Sequence, residues 1–213
     1  MLVIRSMRRL PVYILIDTSG SMKGEPIETV KVGLSDMVAA LRQDPYMLET
    51  VCISIITYNR EVEQVLPLTM LEHIVLPDIV VPDSGPTNMG AALKFLCDRI
   101  DIEVKIDSHE RKGDWHPFLF VYTDGKPSDI QNYNKIIPRI KSINFAKIIV
   151  CAAGPKAKVE PFKLLTDHIH LLDHVDARSI KDYFQISWVI TDPISSTSNE
   201  DLPAPPEEVN IVI

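Results

Sequence analysis

Short apolar runs alternate along the chain with segments in which apolar residues recur at helical spacing. Continuous apolar runs bounded by Gly, Pro or polar residues are typical of buried strands. Four such runs stand at 12–17, 51–58, 118–123 and 145–153. The helical spacing predicts three helices, at about 26–43, from 89 to about 100, and at about 132–142, where Pro138 interrupts or bounds the last. This alternation predicts a parallel sheet covered by helices.

Weaker patterns flank this core. Residues 61–66 alternate charged and apolar after a turn at residues 59 and 60, which predicts an exposed antiparallel edge strand. Residues 160–166 predict a short helix, 169–172 a weak strand, and 177–190 a final amphipathic helix. We therefore expect an α/β fold, with an open, doubly wound, mostly parallel sheet, one antiparallel edge strand and helices on both faces.

The pattern divides the chain into an N-terminal extension (1–9), one domain (10–190) and a Pro-rich C-terminal tail (191–213). Within the domain, the charged stretch 107–114 is expected to form a solvated loop that Trp115 and His116 anchor. The tail contains the apolar segment VNIVI, which could add a strand to a sheet edge or stay frayed. We expect it to dock on its own domain or on a neighbour.

Composition narrows the class of protein. Of the 213 residues, 46% are apolar, which is too large a share for a disordered chain. The sequence contains no run of 18 apolar residues, so we expect no membrane-spanning helix. The apolar run near the N-terminus is too short for a signal peptide. Cys52, Cys97 and Cys151 lie far apart in apolar contexts, which favours buried, reduced thiols and a cytoplasmic protein. The net charge of −7 argues against direct binding to nucleic acid, and we expect no membrane partner.

Oxygen-bearing side chains stand at the ends of predicted strands, in the segments DTSGS (17–21) and TDG (123–125), and before a helix at Thr87. Each segment alone is typical of a turn or a helix cap, but ligands in open α/β sheets bind beyond the carboxyl ends of the strands. Carboxylates and hydroxyls are hard donors that suit Mg²⁺, with Mn²⁺ or Ca²⁺ as alternatives. The candidate metal ligands are Asp17, Ser19, Ser21, Thr87 and Asp124. The candidate partner-binding rim beside them consists of Met22, Lys23, Asn88 and Lys126.

The three segments together resemble the metal-ion-dependent adhesion site of von Willebrand factor A domains, and the resemblance covers about residues 10–190. Longer strings are similar to the TerY-like proteins of bacterial tellurite-resistance clusters. These strings are MRRLPVYILIDTSGSMKGEPIETV, LRQDPYMLETV, SGPTNMGAAL, TDGKPSD, CAAGPKAK and PPEEVNIVI.

The resemblance implies a non-catalytic protein-interaction module of a tellurite-resistance or stress-response system. In such domains Ser19, Ser21 and Thr87 would contact the ion, and Asp17 and Asp124 would bind it directly or through water. An Asp or Glu of a partner protein would complete the coordination. TerY-like proteins are encoded beside a protein kinase and a protein phosphatase, which are the implied partners in phosphorylation signalling. Some relatives carry a Cys-rich zinc module, for which this chain lacks the cysteines.

Three other interpretations stay open. A Mg²⁺-dependent phosphohydrolase would suit two carboxylates, but such an enzyme needs a second acid two residues after its aspartyl nucleophile, and Ser19 occupies that position. If Ser19 were itself the nucleophile, it would need a nearby His as its base, and the sequence indicates none. An acidic scaffold in a nucleic-acid-processing complex is a second alternative. Zinc bound by His168, His170 and His174 is a third, although no fourth ligand is evident at close spacing.

Overall fold

A seven-stranded sheet runs through the computed structural model, which describes residues 8–108, 112–153, 160–172 and 209–212. The strands are β1 (Leu10–Asp17), β2 (Val51–Tyr58), β3 (Val62–Met70), β4 (Phe118–Thr123), β5 (Lys147–Ala153), β6 (Ile169–Leu172) and β7 (Val209–Val212). Their order is β3-β2-β1-β4-β5-β6-β7. The four central pairings are parallel, so the predicted mostly parallel α/β sheet is confirmed.

Helices cover both faces of this sheet. They are α1 (Glu25–Leu41), α2 (Pro45–Thr50), α3 (Met89–Glu103) and α4 (Ile130–Ser142), with 3₁₀ turns at Gly20–Met22, Leu71–His73 and Phe162–Leu164. Alternate residues of β1 divide between two apolar layers, since successive strand side chains point to opposite faces. Ile14 packs in the layer that contains α1, and Leu15 packs in the layer that contains α3 and α4. The predicted helix at 177–190 lies outside the described residues.

The short helix α2 was missed, and several predicted ends shift. Six residues are too few to show helical periodicity, although an Asp before a Pro is a start signal. The Asp44 carboxylate accepts hydrogen bonds from the amides of Tyr46 (2.8 Å) and Met47 (3.3 Å) and so caps α2. β3 continues to Met70, four residues beyond its predicted end. The predicted helix at 160–166 is only a 3₁₀ turn at Phe162–Leu164.

Both edges of the sheet are antiparallel, whereas the sequence predicts one such edge. β3 pairs antiparallel with β2, as predicted. At the other edge, β7 pairs antiparallel with β6, with His170 opposite Ile211. The backbone of the VNIV segment therefore docks on the chain's own sheet, which is one of the two outcomes that the sequence left open for it. No helix in the described part of the chain is long and apolar enough to cross a membrane.

The last two residues of the predicted N-terminal extension, Arg8 and Arg9, make contacts with the domain. Arg9 pairs with Asp114 (2.5 Å) and donates to the carbonyl of Glu103 (2.8 Å) at the end of α3. The Arg8 guanidinium lies 4.1 Å from the centre of the Trp115 ring. Asp114, placed by the sequence in a solvated loop, has a side chain only 4% exposed because Arg9 holds it. Arg8 and Arg9 thus pack on the domain, and Trp115 anchors the insertion.

Candidate metal centre

The predicted segments 17–21 and 123–125 meet at the carboxyl edge of the sheet. β1 and β4 are parallel neighbours, with Ile16 opposite Tyr122, so the residues that follow them emerge side by side. The Ser21 hydroxyl donates to Asp124 Oδ1 at 2.9 Å. The hydroxyl oxygens of Ser19 and Ser21 lie 3.2 Å apart, at hydrogen-bonding distance. Two distant stretches of chain therefore place three of the predicted ligands in one hydrogen-bonded cluster.

Asp17 lies beneath this cluster and is fully buried. Its Oδ1 accepts a hydrogen bond from the Ser19 amide (2.7 Å), and its Oδ2 accepts one from the Thr123 hydroxyl (2.7 Å). Burial raises the pKa of Asp17, and the hydrogen bonds from Thr123 and Ser19 offset that rise only in part. Among the described residues no Lys, Arg or His pairs with it. A buried carboxylate without a cation is unfavourable, so the site favours a bound positive charge.

Thr87 reaches the same edge from the loop before α3. Its amide donates to the Ser128 hydroxyl (3.0 Å), and the Ser128 amide donates to the Thr87 carbonyl (2.8 Å). A methyl group built on Gly125 would lie 3.5 Å from Thr87 Oγ1, which places this hydroxyl beside the loop that carries Asp124. The structure therefore brings all five predicted ligands to one end of the sheet.

The start of α3 is capped by Asp129, which the sequence analysis did not single out. Its two carboxylate oxygens accept hydrogen bonds from the amides of Gly90 (3.0 Å) and Ala91 (2.9 Å). The simplest sequence interpretation makes Thr87 the cap, but the cap comes from the residue that precedes α4. This contact spans 38 or more positions, so only the tertiary structure reveals it. The Thr87 side chain is consequently not needed as a cap.

Asn59 links two of the ligand-bearing loops and was also missed, because the sequence indicates only a turn there. Its side-chain amide donates to the Thr18 hydroxyl (2.9 Å), between Asp17 and Ser19. Its backbone carbonyl accepts a hydrogen bond from the Asn88 amide (3.2 Å), next to Thr87. Asn59 therefore fixes the position of one loop relative to the other.

Loss of this link should weaken ion binding. Asn59→Ala and Thr18→Val each remove the 2.9 Å hydrogen bond without touching a predicted ligand. We expect each to lower Mg²⁺ affinity by about tenfold, as outer-shell changes at metal sites do. Thr18→Val also removes the hydrogen bond to the Tyr58 carbonyl (3.2 Å), and Asn59→Ala also removes the acceptor of the Glu61 amide (3.0 Å). Because both changes remove the same Thr18–Asn59 bond, the double variant should lose less affinity than the product of the two single losses. Titration calorimetry of the four proteins would measure this, and affinities that multiply independently would contradict the link.

The predicted rim is only partly at the surface. Lys126 is exposed and has no acidic partner among the described residues, and Lys23 is exposed and pairs with Asp83. Asn88 is partly buried, and its side-chain amide donates to the Arg60 carbonyl at 3.4 Å. Met22 is a correction: it is fully buried in the layer beneath α1, because the 3₁₀ turn at Gly20–Met22 directs its side chain inward. Met22 therefore cannot contact a partner.

The donor set fits a hard divalent cation. It offers two carboxylates and three hydroxyls, all oxygen donors, around the buried Asp17, which suits Mg²⁺, Mn²⁺ or Ca²⁺. Within the described residues, no group of three or more His, Cys, Asp or Glu side chains is arranged so that it could hold a metal ion. Of the three histidines considered for zinc, His168 is exposed, whereas the side chain of His170 and all of His174 lie outside the described residues.

Solved structures with this fold include proteins of several origins. Proximal thread matrix protein 1 from the mussel byssus, with a zinc-occupied MIDAS motif, superposes with a TM-score of 0.60 at 13% identity, over 84% of this chain and 46% of that one. The ArnB paralog VWA2 from Sulfolobus acidocaldarius superposes with a TM-score of 0.58 at 18% identity, over 83% and 45%. This chain thus spans less than half of either structure, and the likeness shows the fold.

A curated relative and the family pattern agree with this fold. Mouse collagen alpha-5(VI) chain is 26% identical over 179 residues, which are 82% of this chain and 7% of the collagen chain. The family model of the von Willebrand factor type A domain matches residues 12–183, most of the chain and all five predicted ligands. The chain therefore belongs to the von Willebrand factor type A domain family.

Proposed function

We propose that this chain is a non-catalytic protein-interaction module whose metal centre holds Mg²⁺ and receives an acidic side chain of a partner protein. The observation that carries the proposal is the fully buried Asp17 carboxylate, which has no cationic partner among the described residues. A divalent cation would neutralise it. A zinc-occupied MIDAS motif in the mussel thread matrix protein supports a metal at this position of the fold.

Five side chains would hold the ion: Asp17, Ser19, Ser21, Thr87 and Asp124. When bound, the ion supplies a positive, Lewis-acidic point at the edge of the sheet. Asp17 is fixed by Thr123 and by the Ser19 amide, so its carboxylate is already oriented. Asp124 accepts a hydrogen bond from Ser21, which opposes the mutual repulsion of the two carboxylates. Hydroxyls donate no charge, so a bound cation retains attraction for an external carboxylate.

The contacts of Ser19 support a non-catalytic site. A serine nucleophile needs an adjacent base, usually a His. The side chain of Ser19 contacts the hydroxyl of Ser21, and the described residues place no His beside it. These contacts support a role for the Ser19 hydroxyl as a ligand rather than as a nucleophile.

The physiological setting that we propose is bacterial tellurite resistance or stress response in the cytoplasm, beside a protein kinase and a protein phosphatase. Strings spread over most of the chain support it, from the segment around the first ligands to the tail PPEEVNIVI. The three cysteines are buried free thiols, and burial raises the pKa of Cys97 to about 11, which keeps it protonated and unreactive. Such thiols fit a reducing compartment.

The test is binding of the cognate kinase and phosphatase with Mg²⁺ and with EDTA. We expect EDTA to remove binding to at least one of them and added Mg²⁺ to restore it, because the partner's acid has no other cation of comparable charge to meet. Interferometry with the immobilised chain would measure both affinities. Equal affinity for both proteins in Mg²⁺ and EDTA would contradict the proposal.

A further inference from the structure

Two exposed cations flank Thr87 at the metal edge. On one side, the Asn88 side chain donates to the backbone carbonyl of Arg60, in the turn between β2 and β3. On the other side, Gly125 lies against the Thr87 hydroxyl, and Lys126 is the next residue. The side chains of Arg60 and Lys126 are both exposed. The strand order β2-β1-β4 places the loops that carry Arg60 and Lys126 on opposite sides of β1, so an exposed cationic residue stands in the loop to either side of Asp17.

Neither cation is neutralised within the described part of the chain. Lys23, on the same edge, is matched by Asp83. Arg60 and Lys126 have no carboxylate within ion-pair distance among the described residues, and this includes Glu61 next to Arg60. In a chain of net charge −7, two cations left unpaired beside a cation site form a local positive surface. Such surfaces attract and select partners of opposite charge.

We infer that this surface recognises an acidic run: a partner segment in which the acid that meets the metal is flanked on both sides by further acids. The inference rests on the proposed function and adds to it the class of partner sequence. A single carboxylate would satisfy the ion and leave Arg60 and Lys126 without counter-charges. In an extended segment, alternate side chains on one face lie about 7 Å apart, so acids two positions before and after the central one extend toward the flanks.

The physical role of the two cations is selection. Exposed ion pairs contribute little each, so affinity comes mainly from the metal. Flanking charges act together over roughly 8 Å at physiological salt, and they exclude basic partners through like-charge repulsion. The Asn88 side chain supports this geometry, since it holds the turn that carries Arg60 against the loop that carries Thr87.

Two labelled peptides test the inference on the full chain in Mg²⁺, by fluorescence anisotropy. One is a Gly/Ser peptide with a central Asp, and the other adds a Glu two positions to each side. We expect the three-acid peptide to bind about tenfold more tightly than the one-acid peptide. The double variant Arg60→Glu, Lys126→Glu should lose or reverse this preference. A peptide with Lys at both flanking positions should bind the double variant better than the wild type.

The matched control is the double variant Lys105→Glu, Lys141→Glu, which makes the same charge change just after α3 and in the last turn of α4, at the opposite end of the sheet. It should keep the preference for the three-acid peptide. If the wild type binds the two peptides equally well, and binds them in Mg²⁺ but not in EDTA, the acidic-run inference is overturned and the proposed function stands. Binding that persists in EDTA, or no binding of either peptide, would overturn both.

Discussion

Replacement of Asp17 with asparagine is expected to weaken Mg²⁺ binding by at least about a hundredfold, the upper end of what outer-shell changes cost at metal sites. The substitution keeps the shape of a fully buried side chain and removes its charge. The new amide can donate to the Thr123 hydroxyl, which can turn its own proton to the Gly125 carbonyl at 3.1 Å. Titration calorimetry would measure the loss of affinity, and partner binding should fall with it.

The fold should survive this substitution. Burial raises the pKa of Asp17 above its value in the unfolded chain, so the metal-free protein loses stability as the pH rises through that raised pKa. Asparagine does not ionise, and in EDTA at pH 7 the variant should melt no lower than the wild type. Only the wild type should gain thermal stability when Mg²⁺ is added.

A matched control is Asp101→Asn on α3, which removes the same charge from an exposed carboxylate paired with Arg139. It should leave the Mg²⁺ affinity and the Mg²⁺-induced thermal shift unchanged. An Asp17→Asn protein that binds Mg²⁺ like the wild type would show that the carboxylate is not a ligand.

Gly90→Ala is expected to destabilise the domain by about 3 kcal/mol, the upper end of the usual cost of overpacking. A methyl group on Gly90 would lie 2.3 Å from the backbone nitrogen of Tyr133 and 2.6 Å from the carbonyl carbon of Asn132. Both atoms belong to the backbone of α4, so no side chain can move aside. At about 2–4 °C per kcal/mol for a domain of this size, the melting temperature should fall by roughly 6–12 °C.

The control is Ala91→Gly, which changes the neighbouring residue by the same methyl group in the opposite sense. It should cost at most about 1 kcal/mol, the ordinary effect of Gly in a helix. The melting temperatures of both variants would be measured by calorimetry in EDTA, so that a change in metal binding cannot contribute to them. Equal melting temperatures for Gly90→Ala and the wild type would mean that α3 and α4 are not packed this closely.

The candidate ligands could be selected from the sequence because their signals are local. Asp17, Ser19 and Ser21 occupy one tight turn after an unmistakable buried strand, and Asp124 follows another. The parallel arrangement of the central strands follows from the alternation of strands and helices, but their order in the sheet comes from the structure. The residues that orient the ligands could not be found in this way, because their partners are distant in sequence.

Thr123 shows the difference most clearly. In the sequence Thr123 is simply the last residue of an apolar strand. Its hydroxyl can donate to Asp17, 106 residues earlier, only because β4 lies beside β1 in the folded sheet. Met22 shows the opposite error. Its position beside two ligands suggested a surface contact, but the turn at Gly20–Met22 rotates it into the core. Proximity in sequence to a site does not determine the direction of a side chain.

β1 lies in the interior of the sheet, hydrogen-bonded to parallel strands on both sides, and all eight of its residues are buried. The backbone of Asp17 pairs with Tyr58 of β2, and its neighbour Ile16 pairs with Tyr122 of β4, so a displacement of this backbone would strain both ladders. Tension exerted on Asp17 by a tethered partner would therefore pass into a strand that is hydrogen-bonded on both sides, where several backbone bonds share the load.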